Sequence, residues 1–348
     1  MTTMTSPNHA EQLSAIAQME PLLEVKDLKK YFPIQAGFLK HTVGYVKAVD
    51  EVNITVQAGE TLGVVGESGS GKTTLGRTII RLYEPTGGDV LLRDGNRVLN
   101  VFELDSKQMH IFRRNAQMIF QDPYASLNPR MNVLETVGEP LLVNNIAKGR
   151  DLEERVAKVI QQVGLRVEHL RRFPHSFSGG QRQRIGIARA LVVNPKLVVA
   201  DEPVSALDVS IQAQILNLLK DLQAQYQLTY IFISHAMSVI RYMSDRIAVM
   251  YAGKLVELGP KQDILSHPLH PYSEALLSAV PKTTQRRKRI VSRGEVPDLG
   301  NLPAGCVFHP RCKYATEQCR TAIPHLRTIS PGRTVSCHLA DTLALEGI

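Results

Sequence analysis

The 348-residue chain has no tryptophan, and no apolar stretch in it approaches the roughly 18 residues that a membrane-spanning helix needs. Its first twenty residues, MTTMTSPNHAEQLSAIAQME, lack a basic start followed by an apolar run. These two absences lead to the expectation of a protein neither secreted nor embedded in a membrane. Cysteine is absent until Cys306, and all four cysteines fall in the last 43 residues. In a reducing compartment such clustering points to metal or redox chemistry ahead of disulfides. No internal repeat is present, so each motif described below occurs once and the chain carries one set of site parts. The net charge of +8 is partly local, in Arg286, Arg287, Lys288 and Arg289. A short basic run of this kind reads as a solvated linker before it reads as a nucleic-acid site. What remains, 43% apolar and 21% charged residues, is the composition of a globular chain long enough for one large domain and a smaller appendage.

Residues 1–20 are polar and without apolar period, and are expected to form a loose tail. From Leu22 onward short apolar runs alternate with turns and helical patterns, the rhythm of an α/β fold with a mostly parallel sheet covered by helices. The runs TLGVVG at 61–66, KLVVA at 196–200 and TYIFIS at 229–234 read as buried strands, each ending at a chemically able residue. Open α/β sheets bind ligands beyond the carboxyl ends of their strands, so three distant segments are expected to meet at one site. Between 128 and 177 the pattern turns helical. Over 151–164, Leu152, Val156, Val159 and Val163 share one face and Gly164 stops the helix. After Pro281 the composition shifts to basic residues, proline, glycine and cysteine, which marks a linker and a small loop-rich appendage.

GESGSGKT at 66–73 fits G-x-x-x-x-G-K-[ST] between a predicted strand and a predicted helix. Gly66, Ser68, Gly69, Ser70 and Gly71 let successive backbone N–H groups turn toward phosphate oxygens. The helix that opens through Thr73 and Thr74 adds its positive end. Lys72 is expected to reach the β and γ phosphates of ATP, and Thr73 to ligate Mg²⁺. Asp201 and Glu202, at the end of the second strand, supply a Mg²⁺ ligand and a group to orient or deprotonate the attacking water. His235, after the third strand, is placed to contact the γ-phosphate and hold that base.

These residues resemble the ATP-binding subunits of ABC transporters over roughly 22–281. The most diagnostic segment is FSGGQRQR at 177–184, similar to the family signature, which other P-loop enzymes lack. Gln121 resembles the loop glutamine that senses the γ-phosphate and Mg²⁺ and reports to the membrane subunits. Ser205 to Asp208 resembles the loop that joins the two sites of a dimer. Tyr31 sits where the family stacks an aromatic ring on adenine, with Phe32 beside it as the alternative ring. The resemblance implies a RecA-like P-loop core over 21–281 with an antiparallel β portion and a helical subdomain at about 126–189. It also implies a head-to-tail dimer in which Ser178, Gly179, Gly180 and Gln181 of one subunit close on the nucleotide of the other. One departure is that Ala236 follows the histidine where the family usually has an acid.

A finer resemblance, to the dipeptide and oligopeptide importer ATPases, rests on Asn128-Pro129-Arg130, on HPLHPYSEALLSAVP at 267–281 and on the cysteine-bearing tail at 282–348. By spacing, Cys306, Cys312, Cys319 and Cys337 suit zinc or an iron–sulfur cluster, with unligated thiols as a further alternative; C-x2-C pairs typical of zinc ribbons are missing. The resemblance implies a 4Fe-4S cluster. It further implies two transmembrane permeases, a second homologous ATPase subunit and an extracytoplasmic peptide-binding protein as partners. The expected place is then the cytoplasmic face of the inner membrane, with no nucleic acid bound. Nickel, glutathione and antimicrobial-peptide uptake use similar subunits. A non-transport ATPase of DNA repair or translation would carry a coiled-coil insertion or a second cassette, and neither is present.

Overall fold

A computed structural model describes residues 20–37, 41–280, 290, 294 and 297–348. The expected tail, except Glu20, and the basic run at 286–289 lie outside the described residues. The chain opens on strands β1 (Leu23–Ala36), β2 (His41–Val56) and β3 (Thr61–Val65), followed by helix α1 (Lys72–Ile79). The hairpin β4 (Gly87–Asp94) and β5 (Arg97–Asn100) leads through α2 (Ser106–Asn115) to β6 (Ala116–Ile119). A helical stretch of α3 (Val133–Val143), α4 (Gly149–Gln162) and α5 (Gly179–Leu191) comes next. The chain then alternates: β7 (Leu197–Asp201), α6 (Val209–Tyr226), β8 (Thr229–Ser234), α7 (Met237–Met243), and the hairpin β9 (Arg246–Tyr251) and β10 (Lys254–Pro260). Helices α8 (Lys261–Ser266) and α9 (Pro271–Ser278) precede a C-terminal segment with α10 (Glu317–Thr321), β11 (Arg327–Ser330) and β12 (Arg333–Val335).

Two sheets form. The smaller is antiparallel, in the order β2-β1-β4-β5; the larger runs β11-β12-β10-β9-β3-β8-β7-β6. Its five strands from β9 to β6 are parallel, whereas β10, β12 and β11 extend one edge antiparallel. The C-terminal segment therefore adds to the main sheet, through Glu257 opposite Val335 and Leu258 opposite Thr334.

Side-chain alternation along the central strands explains the layering. Leu197, Val199, Ile231 and Ile233 join a core shared with the antiparallel sheet and with Leu75 and Ile79 of α1. Val198, Ala200, Tyr230 and Phe232 face the opposite core, which includes Val137 and Leu141 of α3, Val156 and Ile160 of α4, and Ile185 of α5. A strand buried on both faces has no polar side, which is why these runs read as continuous apolar stretches. In the helical stretch Leu152, Val156, Val159 and Ile160 of α4 are buried, as the period requires. Helices α2, α3 and α5 each begin with a reciprocal cap, Asp105 with Gln108, Asn132 with Glu135 and Ser178 with Gln181. Each pair satisfies two backbone donors left free at a helix start. Among the described residues no helix is long and apolar enough to cross a membrane.

Candidate nucleotide site

Register brings the predicted site residues together. In the parallel sheet Val65 of β3 lies opposite Ser234 of β8, and Asp201 of β7 lies opposite Ile233 of β8. Gly66, Glu202 and His235 consequently leave the sheet side by side from three adjacent strand ends. Glu202 and His235 border a cavity of about 790 Å³ that is also lined by Glu67, Ser68, Gly69, Gly71, Lys72, Thr73, Thr74 and Gln121, whereas Gly66, Ser70 and Asp201 stand behind this lining.

The loop after β3 is shaped by close approach. Gly71 has φ of 99° and its missing side chain lets the backbone pass the Ala48 carbonyl, which an added Cβ would meet at 2.0 Å. No other residue type fits both constraints. Lys72 is buried and its Nζ donates to the carbonyls of Gly66 and Glu67, each at 2.8 Å. Burial lowers its pKa, while Glu202, Asp201 and Glu67 act to raise it.

Thr73 Oγ1 donates to Asp201 Oδ1 at 2.8 Å. The other carboxylate oxygen of Asp201 is buried without a hydrogen-bond partner, and Arg77 Nη2 stands 3.8 Å away. Burial raises the pKa of this carboxyl, with Thr73 and Arg77 opposing the rise. A hydroxyl and an orphaned carboxylate oxygen are the oxygen donors that a hard divalent cation such as Mg²⁺ takes. Glu202 is held at φ of 45°, an uncommon conformation for a non-glycine residue. Its Oε2 accepts from Gln121 Nε2 at 3.0 Å and lies 3.1 Å from His235 Nδ1. A carboxylate fixed between an amide and an imidazole on the cavity wall can accept a proton from water. After His235, the Ala236 N–H donates to Ser234 Oγ at 3.1 Å, and α7 starts without a side-chain cap.

The structure brings Phe32 rather than Tyr31 to this cavity, together with Val46, Ala48, Leu276 and Leu299. Tyr31 and Phe32 are consecutive on β1, so their side chains leave opposite faces of the strand. Burial raises the pKa of Tyr31, and the hydrogen bond that its hydroxyl donates to Asp50 Oδ1 adds to the rise; Asp50 also pairs with Lys254 at 2.8 Å. Phe32 meets the ring of Tyr83 edge-on at 5.6 Å. Leu276 and Leu299 escaped the sequence reading because nothing in their local pattern relates them to a loop more than 200 residues earlier.

Ser178, Gly179, Gly180, Gln181 and Asp208 do not line the cavity. Ser178 caps α5, with its backbone N–H donating to Gln181 Oε1 at 3.1 Å. An added Cβ on Gly180 would come within 2.6 Å of Ile211 in α6, so glycine allows the two helix starts to pack. Asp208 is exposed at the start of α6, and the adjacent Val209 is 82% exposed.

Among the described residues no group of three or more His, Cys, Asp or Glu could hold a metal ion, so the four cysteines do not form a ready ligand set. All four are free thiols. Burial, with the neighbouring thiols adding to it, pushes Cys306, Cys312 and Cys337 up to about 11.

Comparison with known proteins follows the same lines. A family model described as ABC transporter matches residues 49–205, and one described as oligopeptide/dipeptide transporter, C-terminal region, matches 256–319. The oligopeptide transport ATP-binding protein AppF of Bacillus subtilis (strain 168) is 52% identical over 93% of this chain and 98% of its own. The dipeptide transport ATP-binding protein DppF of Haemophilus influenzae is 46% identical over 94% of this chain and 99% of its own. Among solved structures, the dimeric post-hydrolysis state of the ATP-binding cassette MJ0796 bound to ADP and Pi aligns with a TM-score of 0.59 at 29% identity. It covers 69% of this chain and 98% of that one.

Proposed function

This chain belongs to the ATP-binding subunits of ABC transporters, in their oligopeptide and dipeptide branch, and we propose from that premise that it powers the import of short peptides. As a member it is an ATP-hydrolysing transport subunit that works with membrane permeases. The observation that carries the reading is the split of the site. One cavity gathers the phosphate loop, Gln121, Glu202 and His235, while Ser178 to Gln181 lie elsewhere on the same chain.

A second ATPase subunit then completes each site, with the capped start of α5 presenting backbone donors to the far side of the triphosphate. In this reading Lys72 and the loop N–H groups hold the phosphates, and Thr73, Asp201 and Gln121 hold Mg²⁺, which offsets phosphate charge. Phe32 takes the adenine. Glu202 takes the proton of the attacking water, and His235 and Gln121 keep its carboxylate in place. With Ala236 in place of the acid that usually follows this histidine in the family, Ser234 anchors the loop through the Ala236 N–H. The partner subunit is a homologue, the permeases are served by an extracytoplasmic peptide-binding protein, and the complex sits at the cytoplasmic face of the inner membrane. A groove of about 680 Å³ beside Gln121, lined by Leu82, Phe120 and Glu139, is the surface we assign to the permease.

The four cysteines, we further propose, take a 4Fe-4S cluster. The support is the sulfur-only donor set carried by one segment, in which Cys306, Cys312 and Cys337 each lie within electrostatic reach of other cysteines of the four. Anaerobic purification of the tagged chain from its own membranes tests both readings. Two permeases and a second ATPase in the eluate, with visible iron–sulfur absorbance lost in a Cys312→Ser variant, are expected. Ribosomal or DNA-bound partners without permeases would sink the transporter reading, and a colourless, iron-free complex would sink the cluster.

A further inference from the structure

The phosphate loop is held by residues that lie far beyond it in sequence. Glu67, its second residue, donates its N–H to Tyr272 Oη at 2.7 Å. Its carboxylate accepts two bonds from one guanidinium, Arg311 Nη1 at 2.8 Å and Nη2 at 3.1 Å, across 244 residues of sequence. The Arg311 side chain is only 9% exposed. It lies against the rings of Tyr251 and Phe308, and its Nη1 also reaches Tyr251 Oη at 3.3 Å. Tyr251, Tyr272 and Phe308 pack on one another with centroids 4.6 to 5.4 Å apart, which gives the guanidinium a stiff seat. A second contact from the same part of the chain reaches the same cavity. Leu299 lines it, and the Leu299 carbonyl accepts the Lys47 N–H at 3.1 Å.

A carboxylate on a loop that cradles a polyanion is electrostatically adverse. In a site of reduced dielectric, repulsion between Glu67 and a triphosphate is poorly screened. A planar, two-pronged cation removes that charge and also fixes the direction of the loop, which a flexible ammonium cannot do as well. We infer that Arg311 is a positioning residue for nucleotide: it neutralises the Glu67 carboxylate that would otherwise repel the phosphates, so the cysteine-bearing segment controls ATP affinity. The inference rests on the assignment of the loop as the ATP site and deepens it.

The test is the KM for MgATP and kcat of the assembled transporter carrying Arg311→Ala, Arg311→Lys, Glu67→Gln or the Glu67→Gln/Arg311→Ala pair. Arg311→Ala is expected to raise KM on the order of tenfold, the usual scale of coupling between contacting groups, with a smaller change in kcat. Arg311→Lys should recover part of the loss. Removing the stranded carboxylate in the double variant should return KM to near the native value. A double variant as weak as Arg311→Ala would show that Arg311 acts through the fold alone and overturn the inference. Unchanged KM in Arg311→Ala would do the same. Should Arg311→Ala fail to fold, Glu67→Gln decides, because charge repulsion requires its KM to hold or fall, and a raised KM refutes it. Lys72→Ala separates the two levels: undiminished ATP binding in that variant would strike the assignment of the site itself, whatever Arg311 does.

Discussion

Replacing Phe32 by alanine should weaken nucleotide binding without loosening the fold, whereas replacing Tyr31 by alanine should do the reverse. Phe32 borders the cavity that contains the phosphate loop. Tyr31 is tied through its hydroxyl to Asp50, itself paired with Lys254. Stacking of a base on an aromatic ring is worth about 1–3 kcal/mol, so loss of Phe32 corresponds to an affinity drop of about 5- to 150-fold. Because an adenine-stacking contact forms equally in ground and transition states, the loss should fall on KM and leave kcat nearly unchanged. Phe32→Trp should retain affinity, since it preserves a ring at the same place. Tyr31→Ala deletes a hydrogen bond to a charged partner and should cost about 1.5–3 kcal/mol of stability on the usual scale for such bonds. Isothermal titration with ATP, paired with urea unfolding of the same variants, reads both quantities. Weak ATP binding by Tyr31→Ala together with native binding by Phe32→Ala would refute the assignment and restore Tyr31 as the adenine ring.

Glu202→Gln should leave ATP binding intact and trap the dimer, with kcat reduced by about 10²- to 10⁴-fold, the range assigned to a general base; size-exclusion chromatography and phosphate release check this, and unchanged turnover would remove Glu202 from that role. Acid should destabilise the fold through His270. Its ring is wholly buried, Nδ1 accepts the Tyr272 N–H at 3.0 Å, and burial pushes its pKa down to about 3 from 6.5. The unfolded chain therefore binds a proton that the native chain refuses. This contribution is fully present above pH 6.5 and is lost as pH falls toward 3, at about 1.4 kcal/mol per unit. Nearby Glu257, whose pKa is raised by burial, works in the opposite sense, so the comparison that isolates the histidine is native against His270→Asn. Denaturant unfolding between pH 7.5 and 5 should show a shallower acid loss in that variant, and parallel curves would contradict the account.

Much of the site was readable because it is carried by contiguous motifs. GESGSGKT must follow a strand and open a helix for its N–H groups to converge, and the structure has β3 and α1 on either side. The apolar runs before Asp201 and His235 likewise mark buried parallel strands, and only their order in the sheet was undetermined. The choice between Tyr31 and Phe32 was not readable, because adjacent strand residues differ only in the face they take, and the pairing of β1 with β2 contains several register shifts that local sequence does not fix. The cysteines show a different limit: spacing along a loop-rich segment constrains how close four sulfurs can come but not whether they close on a common centre.

The sequence by itself determined the chemistry: a glycine loop that can turn toward phosphate, a hydroxyl and two acids suited to Mg²⁺ and water, and a capped helix start rich in donors. Local composition suffices for these because each depends on backbone freedom and functional groups within a few residues. Tertiary structure alone decided which ring borders the cavity, that Leu276 and Leu299 complete its walls, and that Arg311 grips Glu67. Those contacts join segments separated by up to 244 residues, and they exist because packing of the C-terminal segment onto the sheet buries aromatic surface and seats Arg311 where its guanidinium meets Glu67.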